Sequence, residues 1–214
     1  FESNGSHRHM RVALADCTAG AARRSLRAEL SARRRAVSPC ERAAAAERAA
    51  HHADHALHLR AGQRVAIYCA LPAELDSAPL IALAARRGCR IYLPRIDPRR
   101  TSRRMRFVEM GGPLRRNRLG IGEPGGFTAI AARWLDLVFL PLVGFDTRGL
   151  RLGSGGGFYD RAFAYRQLRD RWHKPQLVGF GYSFQQIEHL TAAPHDVLMD
   201  AVATDRGFIR CTTG

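Results

Sequence analysis

One stretch of the chain, residues 135–161, joins an apolar run to a glycine-rich loop and then to a helical pattern. Residues 135–142 have almost no polar interruption, which is typical of a short strand buried on both faces. Residues 146–149 have turn composition, and residues 153–157 are all glycine except Ser154. This order favours an open α/β sheet, in which ligands gather at the carboxyl ends of the strands.

A helix is predicted to begin at the end of this loop, near Gly157. The apolar residues that recur there at helical spacing are Phe158, Ala162 and Tyr165. Small residues let backbone N–H groups close on phosphate oxygens, and the helix dipole favours negative charge there. Asp160 and Arg161 lie in the predicted first turn, where a carboxylate could hold a metal ion and a guanidinium could meet a phosphate. The pattern indicates an anion site, and a glycine-rich hairpin loop is the alternative.

Two common nucleotide-binding motifs do not fit this loop. A Walker A loop requires Gly-Lys-Ser/Thr, whereas the only lysine of the chain is Lys174. A dinucleotide-binding fingerprint requires glycine where this loop has Phe158. The loop therefore belongs to another class of anion site.

The charge of the chain favours anionic partners. The formal net charge is +15 over 214 residues, and all but one of the 34 Lys and Arg residues are arginine. Such a charge suits nucleotides, polyanionic cofactors or nucleic acid. Residues 1–9 are typical of an expression-tag remnant ahead of Met10, so we expect a single domain over residues 10–214.

The cysteines indicate a reducing compartment. They are odd in number, scattered and never in a CxxC pair: Cys17, Cys40, Cys69, Cys89 and Cys211. No apolar run approaches membrane-spanning length, and no signal peptide is evident. A cytoplasmic protein without a membrane partner is expected.

Two helices are predicted before the sheet begins. The first covers residues 18–35, and the second starts after Ser38 as N-cap and reaches about Leu59. The first helix carries Arg23, Arg24 and Arg27 on roughly one surface, which is either a solvated basic face or a phosphate contact. The second helix carries a histidine face that could hold zinc but lacks a complete ligand set: His51, His55 and His58.

After Gly62 the pattern alternates between strands and helices. Strands are predicted at residues 64–69, 90–94, 105–108 (an edge strand), 176–181 and 201–204 (the last strand), helices at 77–87 and 185–190, and a surface loop at 109–127. Gly88 is placed as a helix C-cap. Glu74 follows the first strand, where it is either a ligand-binding acid or a helix N-terminal charge. This order predicts a mostly parallel sheet covered on both faces.

Several blocks together resemble the 5-formyltetrahydrofolate cyclo-ligase family, also called 5,10-methenyltetrahydrofolate synthetases. The blocks are RRSLRAEL, YCALPAELDS, GIGEP, LPLVGFDTRGLRLGSGGGFYDR and HDVLMDAVAT. They run in the order of the family from about Ala22 to Gly207. The resemblance implies a single-domain, three-layer α/β/α fold.

The resemblance also implies roles for particular residues. Arg23 and Arg27 match a basic pair that contacts ATP phosphates, with Arg23 in place of a usual lysine. Glu74 matches the acid that hydrogen-bonds the pterin ring of the folate, and Cys69 lies on the adjoining wall of the substrate site; together they are called the folate wall. Asp160 and Asp200 match two magnesium-linked aspartates. The ATP loop is matched by Arg151, Leu152, Gly153, Ser154, Gly155, Gly156, Gly157, Phe158 and Tyr159.

Part of this loop, Gly156, Gly157 and Phe158, would also face the folate, and Arg27, Arg151 and Tyr159 would act in catalysis. Phe158 departs from the commoner tyrosine, and Ser154 and Gly156 replace basic residues found in some members. The phosphate contacts at those two positions would then fall to backbone groups or to other arginines.

The implied reaction uses ATP as co-substrate and Mg²⁺ as cofactor. The formyl oxygen of 5-formyltetrahydrofolate attacks the γ-phosphate, and N10 then closes the 5,10-methenyl ring as phosphate leaves. A monomer with small-molecule substrates and no specific nucleic-acid partner is expected. The alternatives are a basic RNA-binding protein and a sugar-phosphate or acyl-CoA enzyme on a similar sheet.

Overall fold

The computed structural model describes residues 4–96, 104–111, 114–116, 122–124, 128–168 and 174–212. Its helices are α1 (Asn4–Ala36), α2 (Pro39–Leu57), α3 (Ala78–Arg86) and α4 (Phe158–Phe163). Short 3₁₀ turns lie at Ala132–Trp134, Ala164–Leu168 and Ser183–Gln185. None of the helices in these described ranges is long and apolar enough to cross a membrane.

The strands form one large sheet and two small antiparallel pairs. In chain order they are β1 (Arg64–Ala66), β2 (Arg90–Ile96), β3 (Met105–Glu109), β4 (Leu114–Arg116), β5 (Gly122–Pro124), β6 (Ala129–Ile130), β7 (Leu137–Pro141), β8 (Gly144–Phe145), β9 (Arg151–Leu152), β10 (Gln176–Gly181), β11 (Ala201–Thr204) and β12 (Gly207–Arg210). The large sheet has the order β12-β11-β10-β7-β1-β2-β3-β6, while β4 pairs with β5 and β8 with β9. The strands from β11 to β2 are parallel, and both flanks are antiparallel.

Alternate residues of the central strands face opposite layers, as the two-residue period of a strand requires. In β7, Leu137 and Phe139 join the core under α2 and α3, whereas Val138 and Leu140 join the core under α4. Helix α2 meets the sheet with a run of buried alanines, which allows a close approach: Ala45, Ala46, Ala49, Ala50 and Ala53. The mostly parallel, three-layer α/β/α architecture is confirmed.

The predicted ends of α2 and α3 are confirmed by local chemistry. The Ser38 hydroxyl accepts from the Glu41 N–H at 3.3 Å, and the Glu41 carboxylate accepts from the Ser38 N–H at 3.1 Å, which forms a capping box. Gly88 follows α3 with a left-handed φ of +74°, as predicted for its C-terminal cap. Helix α1 begins at Asn4, inside the segment interpreted as a tag remnant.

Five predicted elements differ from the structure. The strand predicted over 64–69 ends at Ala66, since the backbone carbonyl of Tyr68 accepts instead from the Ser77 hydroxyl at 2.6 Å. Strand β3 is not an edge strand, because β6 pairs along its other side. The predicted surface loop over 109–127 contains the β4–β5 pair, and its other parts from 112 onward lie outside the described residues.

The helix predicted over residues 185–190 is absent; that part of the chain is described and contains only the end of a 3₁₀ turn. The Gln185 side chain is buried and donates to the carbonyls of Leu142 and Val143, at 2.9 and 2.8 Å. The backbone N–H of Ile187 donates to the Phe145 carbonyl instead of to a carbonyl of a preceding helical turn. Likewise, β11 is not the last strand, because β12 returns antiparallel to it.

Candidate active site

A cavity of about 810 Å³ lies at the carboxyl ends of the parallel strands. Cys69 follows β1, Pro94 lies in β2, and Pro141 ends β7, and all three line the cavity. Helix α1 and the glycine loop form its other walls. This is the place at which open α/β sheets bind ligands, because the loops there diverge from a rigid scaffold.

Helix α1 presents arginines to the cavity from one face, namely Arg23, Arg24 and Arg27. Arg27 donates through Nε to the Gly153 carbonyl at 2.8 Å, which ties α1 to the glycine loop. Burial and the neighbouring Arg23 charge lower the pKa of the Arg27 guanidinium, although arginine stays charged. The basic face of the first helix is therefore part of the cavity wall, with Arg23 and Arg27 half-buried and Arg24 exposed.

Arg23 is already paired inside the cavity. Its guanidinium donates to both carboxylate oxygens of Asp196, at 2.8 and 3.3 Å, and to the Thr191 carbonyl at 2.9 Å. Both side chains are largely buried, so the pair fixes the loop of residues 191–196 against α1. The predicted ATP contact of Arg23 would have to share this guanidinium with Asp196.

The glycine loop is open where it faces the cavity. Gly155 and Gly157 have left-handed φ angles of +98° and +61°, and a Cβ added to Gly155 would meet no atom within 4 Å. Gly157 is the N-cap of α4, as predicted. The Arg161 guanidinium lies 5.5 Å from the centre of the Phe158 ring and donates to the Gly156 carbonyl. The ring of Phe158, the residue that stands where the family more commonly has tyrosine, is therefore packed beneath a cation.

The predicted ATP-loop residues line the cavity with one exception. Leu152 is fully buried in the cluster formed by α1 and β8–β9, where it packs with Leu30 and Leu190. It is not a cavity residue. Leu152 instead anchors the start of the loop against the apolar side of α1.

Arg151 and Asp160 form a largely buried ion pair. The guanidinium donates to both carboxylate oxygens, at 3.1 and 3.2 Å, and to the Pro141 carbonyl at 3.2 Å. It also lies 5.5 Å from the centre of the Tyr159 ring. Burial raises the pKa of the Tyr159 phenol, so the group remains a neutral hydrogen-bond donor at physiological pH.

Glu74 also lines the cavity and lies in a tight turn after β1. Its carboxylate accepts from the Leu71 N–H at 2.9 Å, and its own N–H bonds the Leu71 carbonyl at 3.0 Å. Ala73 takes a left-handed φ of +70° in this turn, a conformation unusual for a residue other than glycine. Burial raises the pKa of Glu74, and burial also raises the pKa of the nearby Cys69 thiol. The predicted folate-wall residues are thus brought together in the cavity.

The predicted pair of magnesium-linked aspartates is not brought together in the cavity. Asp160 lines it, but Asp200 does not. The Asp200 carboxylate accepts from Arg166 at 2.8 Å and from the Leu177 N–H at 2.6 Å, outside the cavity wall. The late acid in the cavity is Asp196, which sequence reasoning did not select. The segment around it has no regular structure, so no periodicity could distinguish the two acids.

No group of three metal-binding side chains occurs in the part of the chain that the structure describes. That finding includes the histidine face of α2, where His55 and His58 make an edge contact at 6.4 Å between ring centres. His52, which the helical spacing did not select, is a hydrogen-bond partner of the Thr204 carbonyl at 2.8 Å.

Comparison with known proteins decides the family. The profile of the 5-formyltetrahydrofolate cyclo-ligase family matches residues 19–205. The chain belongs to this family. It is 34% identical over 176 residues to the 5-formyltetrahydrofolate cyclo-ligase of Escherichia coli K12, covering 80% of this chain and 94% of that protein. It is 30% identical over 181 residues to the Haemophilus influenzae enzyme of that name, covering 82% and 93%.

A solved structure supports the same assignment. The 5,10-methenyltetrahydrofolate synthetase of Aquifex aeolicus, determined by NMR, matches with a TM-score of 0.74 and 26% identity. The match covers 90% of this chain and 94% of that chain. The resemblance inferred from the sequence blocks is therefore confirmed, both in family and in fold.

Proposed function

We propose that this cyclo-ligase family member converts 5-formyltetrahydrofolate and ATP to 5,10-methenyltetrahydrofolate, ADP and phosphate, with Mg²⁺ as cofactor. The observation that carries the proposal is the cavity itself, which is lined by the glycine loop, by arginines of α1 and by the carboxylate of Glu74. The loop and the arginines suit a polyphosphate, and the carboxylate suits the N–H groups of a pterin ring. Full-length similarity to enzymes named for this reaction supports the substrate class.

The phosphate side would be formed by the glycine loop and Arg27. Arg27 uses Nε to hold Gly153, and its terminal nitrogens have no protein partner among the described residues. They can therefore donate to phosphate oxygens without breaking an existing bond. The open backbone at Gly155 leaves room for close approach of an anion.

The folate side would be formed by Glu74 and Cys69. An ionised carboxylate can accept hydrogen bonds from the ring N–H groups of a pterin through both oxygens, whereas protonation turns one oxygen into a donor. The neutral thiol of Cys69 would contribute packing rather than nucleophilic attack, because burial raises its pKa.

A divalent cation fits the cavity through Asp160. Mg²⁺ is commonly held by one or two carboxylates together with substrate phosphates, and Asp160 and Asp196 are the aspartates that line the cavity. Asp200 is not proposed as a ligand, because it does not line the cavity. Asp160 would have to share its carboxylate with Arg151, which now bonds both of its oxygens. When bound, the ion would neutralise phosphate charge.

The protein's part in the reaction is positioning and charge neutralisation. The formyl oxygen attacks the γ-phosphorus, the bond to the β-phosphate oxygen breaks, and ADP leaves. N10 then attacks the activated formyl carbon and loses its proton, and the C–O bond breaks as phosphate departs. Arg27 would offset negative charge during phosphoryl transfer, and the neutral Tyr159 phenol, held beside Arg151, would donate a hydrogen bond.

The test is to mix the protein with 5-formyltetrahydrofolate, ATP and Mg²⁺ and to follow methenyl absorbance and ADP together. One ADP per ring closed is expected, with no signal when ATP is omitted. Arg27→Met should reduce kcat/KM by at least about a hundredfold, the effect of removing a transition-state donor. Arg35→Met is the control, because Arg35 is exposed on the same helix and does not line the cavity.

Absence of methenyl product from the wild-type protein would refute the proposal. Sequence-dependent RNA retention at physiological salt without turnover would favour a nucleic-acid function instead. Non-specific attraction to a basic surface, in contrast, fades as salt rises.

A further inference from the structure

The carboxylate of Asp160 depends on one partner in the described part of the chain. Arg151 donates to both of its oxygens, at 3.1 and 3.2 Å, and no other described residue bonds them. Asp196, the other aspartate of the cavity, is held differently, because the Ala193 N–H donates to it at 2.8 Å in addition to Arg23. Asp160 would therefore have no described partner left if Arg151 moved away.

Arg151 depends on Asp160 in turn. Its side chain is 6% exposed, and this carboxylate is the one acid with which it forms an ion pair among the described residues. Its Nε is buried without a hydrogen-bond partner in the same ranges, and its remaining bond is to the Pro141 carbonyl at 3.2 Å. A buried charge that loses its partner is strongly destabilising. The pair should therefore separate only when each member receives a new counter-ion.

The guanidinium of Arg151 already lies against the glycine loop. One of its terminal nitrogens is 3.0 Å from the place that a Cβ on Gly153 would occupy. Arg27 bonds the carbonyl of the same glycine through Nε at 2.8 Å. Arg151 and Arg27 thus both adjoin Gly153, and both line the cavity. An anion bound at this part of the loop would adjoin both guanidinium groups.

We infer that Arg151 is the counter-ion of Asp160 in the empty cavity and changes partner when ATP binds. Its guanidinium turns to the phosphates, and a divalent cation takes its place at Asp160. The inference rests on the proposed function, in which ATP and the cation enter this cavity together. Partner exchange leaves both buried charges paired, whereas ATP without the cation would separate Arg151 from Asp160 and leave a carboxylate facing a polyanion. The cation and the nucleotide should each strengthen the binding of the other, since both act on one ion pair.

The test measures ATP binding by calorimetry, in EDTA and at saturating Mg²⁺, without folate and therefore without turnover. In the wild-type protein Mg²⁺ should tighten ATP binding about tenfold, within the usual range for coupled sites. In Asp160→Asn the guanidinium can meet the phosphates without a cation, so ATP binding in EDTA should tighten about tenfold and the effect of Mg²⁺ should largely disappear. Arg35→Met removes an exposed charge of α1 outside the cavity and should bind ATP within about twofold of wild type.

A double-mutant cycle separates partner exchange from simple repulsion. Removing the negative charge of Asp160 would favour a polyanion even if Arg151 never moved, and the gain from Asp160→Asn would then be as large in an Arg151→Met background. Partner exchange predicts that the gain falls to about twofold or less in that background, because the guanidinium that would meet the phosphates is gone. If Arg151→Met does not fold by circular dichroism, Arg151→Gln takes its place as a neutral variant that can still donate a hydrogen bond to Asp160.

Two results would overturn the inference while leaving the proposed reaction intact. One is an equal gain from Asp160→Asn in both backgrounds, and the other is wild-type binding of ATP that Mg²⁺ does not strengthen. A wild-type protein that forms no methenyl product would instead overturn the proposed function, and this inference with it.

Discussion

Adding one methyl group at Gly149 should cost the protein much of its stability. Gly149 has a left-handed φ of +88°, and an added Cβ would lie 2.4 Å from the Met199 carbonyl oxygen. The Met199 N–H also donates to the Gly149 carbonyl at 2.9 Å. The turn therefore cannot move away from the new methyl group without losing this bond, so that Gly149→Ala combines backbone strain with steric overlap.

The magnitude follows from these two contributions. A left-handed conformation costs a residue with a Cβ about 1–2 kcal/mol. Loss of the backbone hydrogen bond that links Gly149 and Met199 costs about 0.5–1.5 kcal/mol more. Together they lower the free energy of unfolding by about 1.5–3.5 kcal/mol, which corresponds to a fall in Tm of about 3–14 °C for a chain of this size.

A matched control isolates the overlap. Gly62 has a similar φ of +78°, but an added Cβ there would meet no atom within 4 Å. Gly62→Ala should therefore show only the backbone contribution, about 1–2 kcal/mol. Urea unfolding of both variants, followed by circular dichroism, measures the difference. Equal losses at the two positions would show that the contact with Met199 does not constrain this turn.

Three further predictions concern the cavity. Asp160→Asn should abolish most Mg²⁺-dependent turnover and also reduce stability, because it leaves the buried Arg151 guanidinium without its counter-ion. Asp200→Asn should lower stability but change the dependence on Mg²⁺ little. A titration of turnover against Mg²⁺ would show the difference. Glu74→Gln should remove an acidic limb in the pH profile of kcat/KM for folate that lies above the usual glutamate pKa of about 4.3, because burial raises this pKa and protonation turns one acceptor oxygen into a donor. A limb that persists in the variant would belong to another group. Cys69 should be alkylated more slowly than the exposed Cys40 near neutral pH, and bound folate should protect it further. Mass spectrometry of a time course measures both rates. Equal rates would contradict the burial of the Cys69 thiol.

Elements whose ends are set by nearby residues could be predicted from the sequence. The capping box at Ser38 and the glycine after α3 act within a few residues of the helix ends that they define. Strand β10 has the predicted bounds of Gln176 and Gly181 because it is apolar and buried on both faces. Strand β12, in contrast, is only half-buried and lies at the edge of the sheet, so it lacks the apolar run by which buried strands are recognised.

The site was predictable where its residues adjoin one another and not where they meet across the fold. Arg151 and Asp160 are nine residues apart, in the loop and the helix that it starts, and both lie in the cavity as expected. The partner of Arg23 is 173 residues away, and only the fold selects Asp196 rather than Asp200.

This distant pairing changes which arginine can bind a phosphate. The chain has 34 Lys and Arg residues but only 19 Asp and Glu residues, so many cations have no acid of their own, and the sequence alone does not show which arginines are paired. The structure makes Arg23 and Arg27 unequal, because Arg23 is held in a forked pair with Asp196, whereas among the described residues Arg27 bonds only the Gly153 carbonyl, through Nε. An incoming phosphate would compete with a buried carboxylate for Arg23, but no described residue would compete with it for the terminal nitrogens of Arg27. Charge neutralisation at the transferring phosphate should therefore depend on Arg27 more than on Arg23, whose pairing with Asp196 orders the cavity wall.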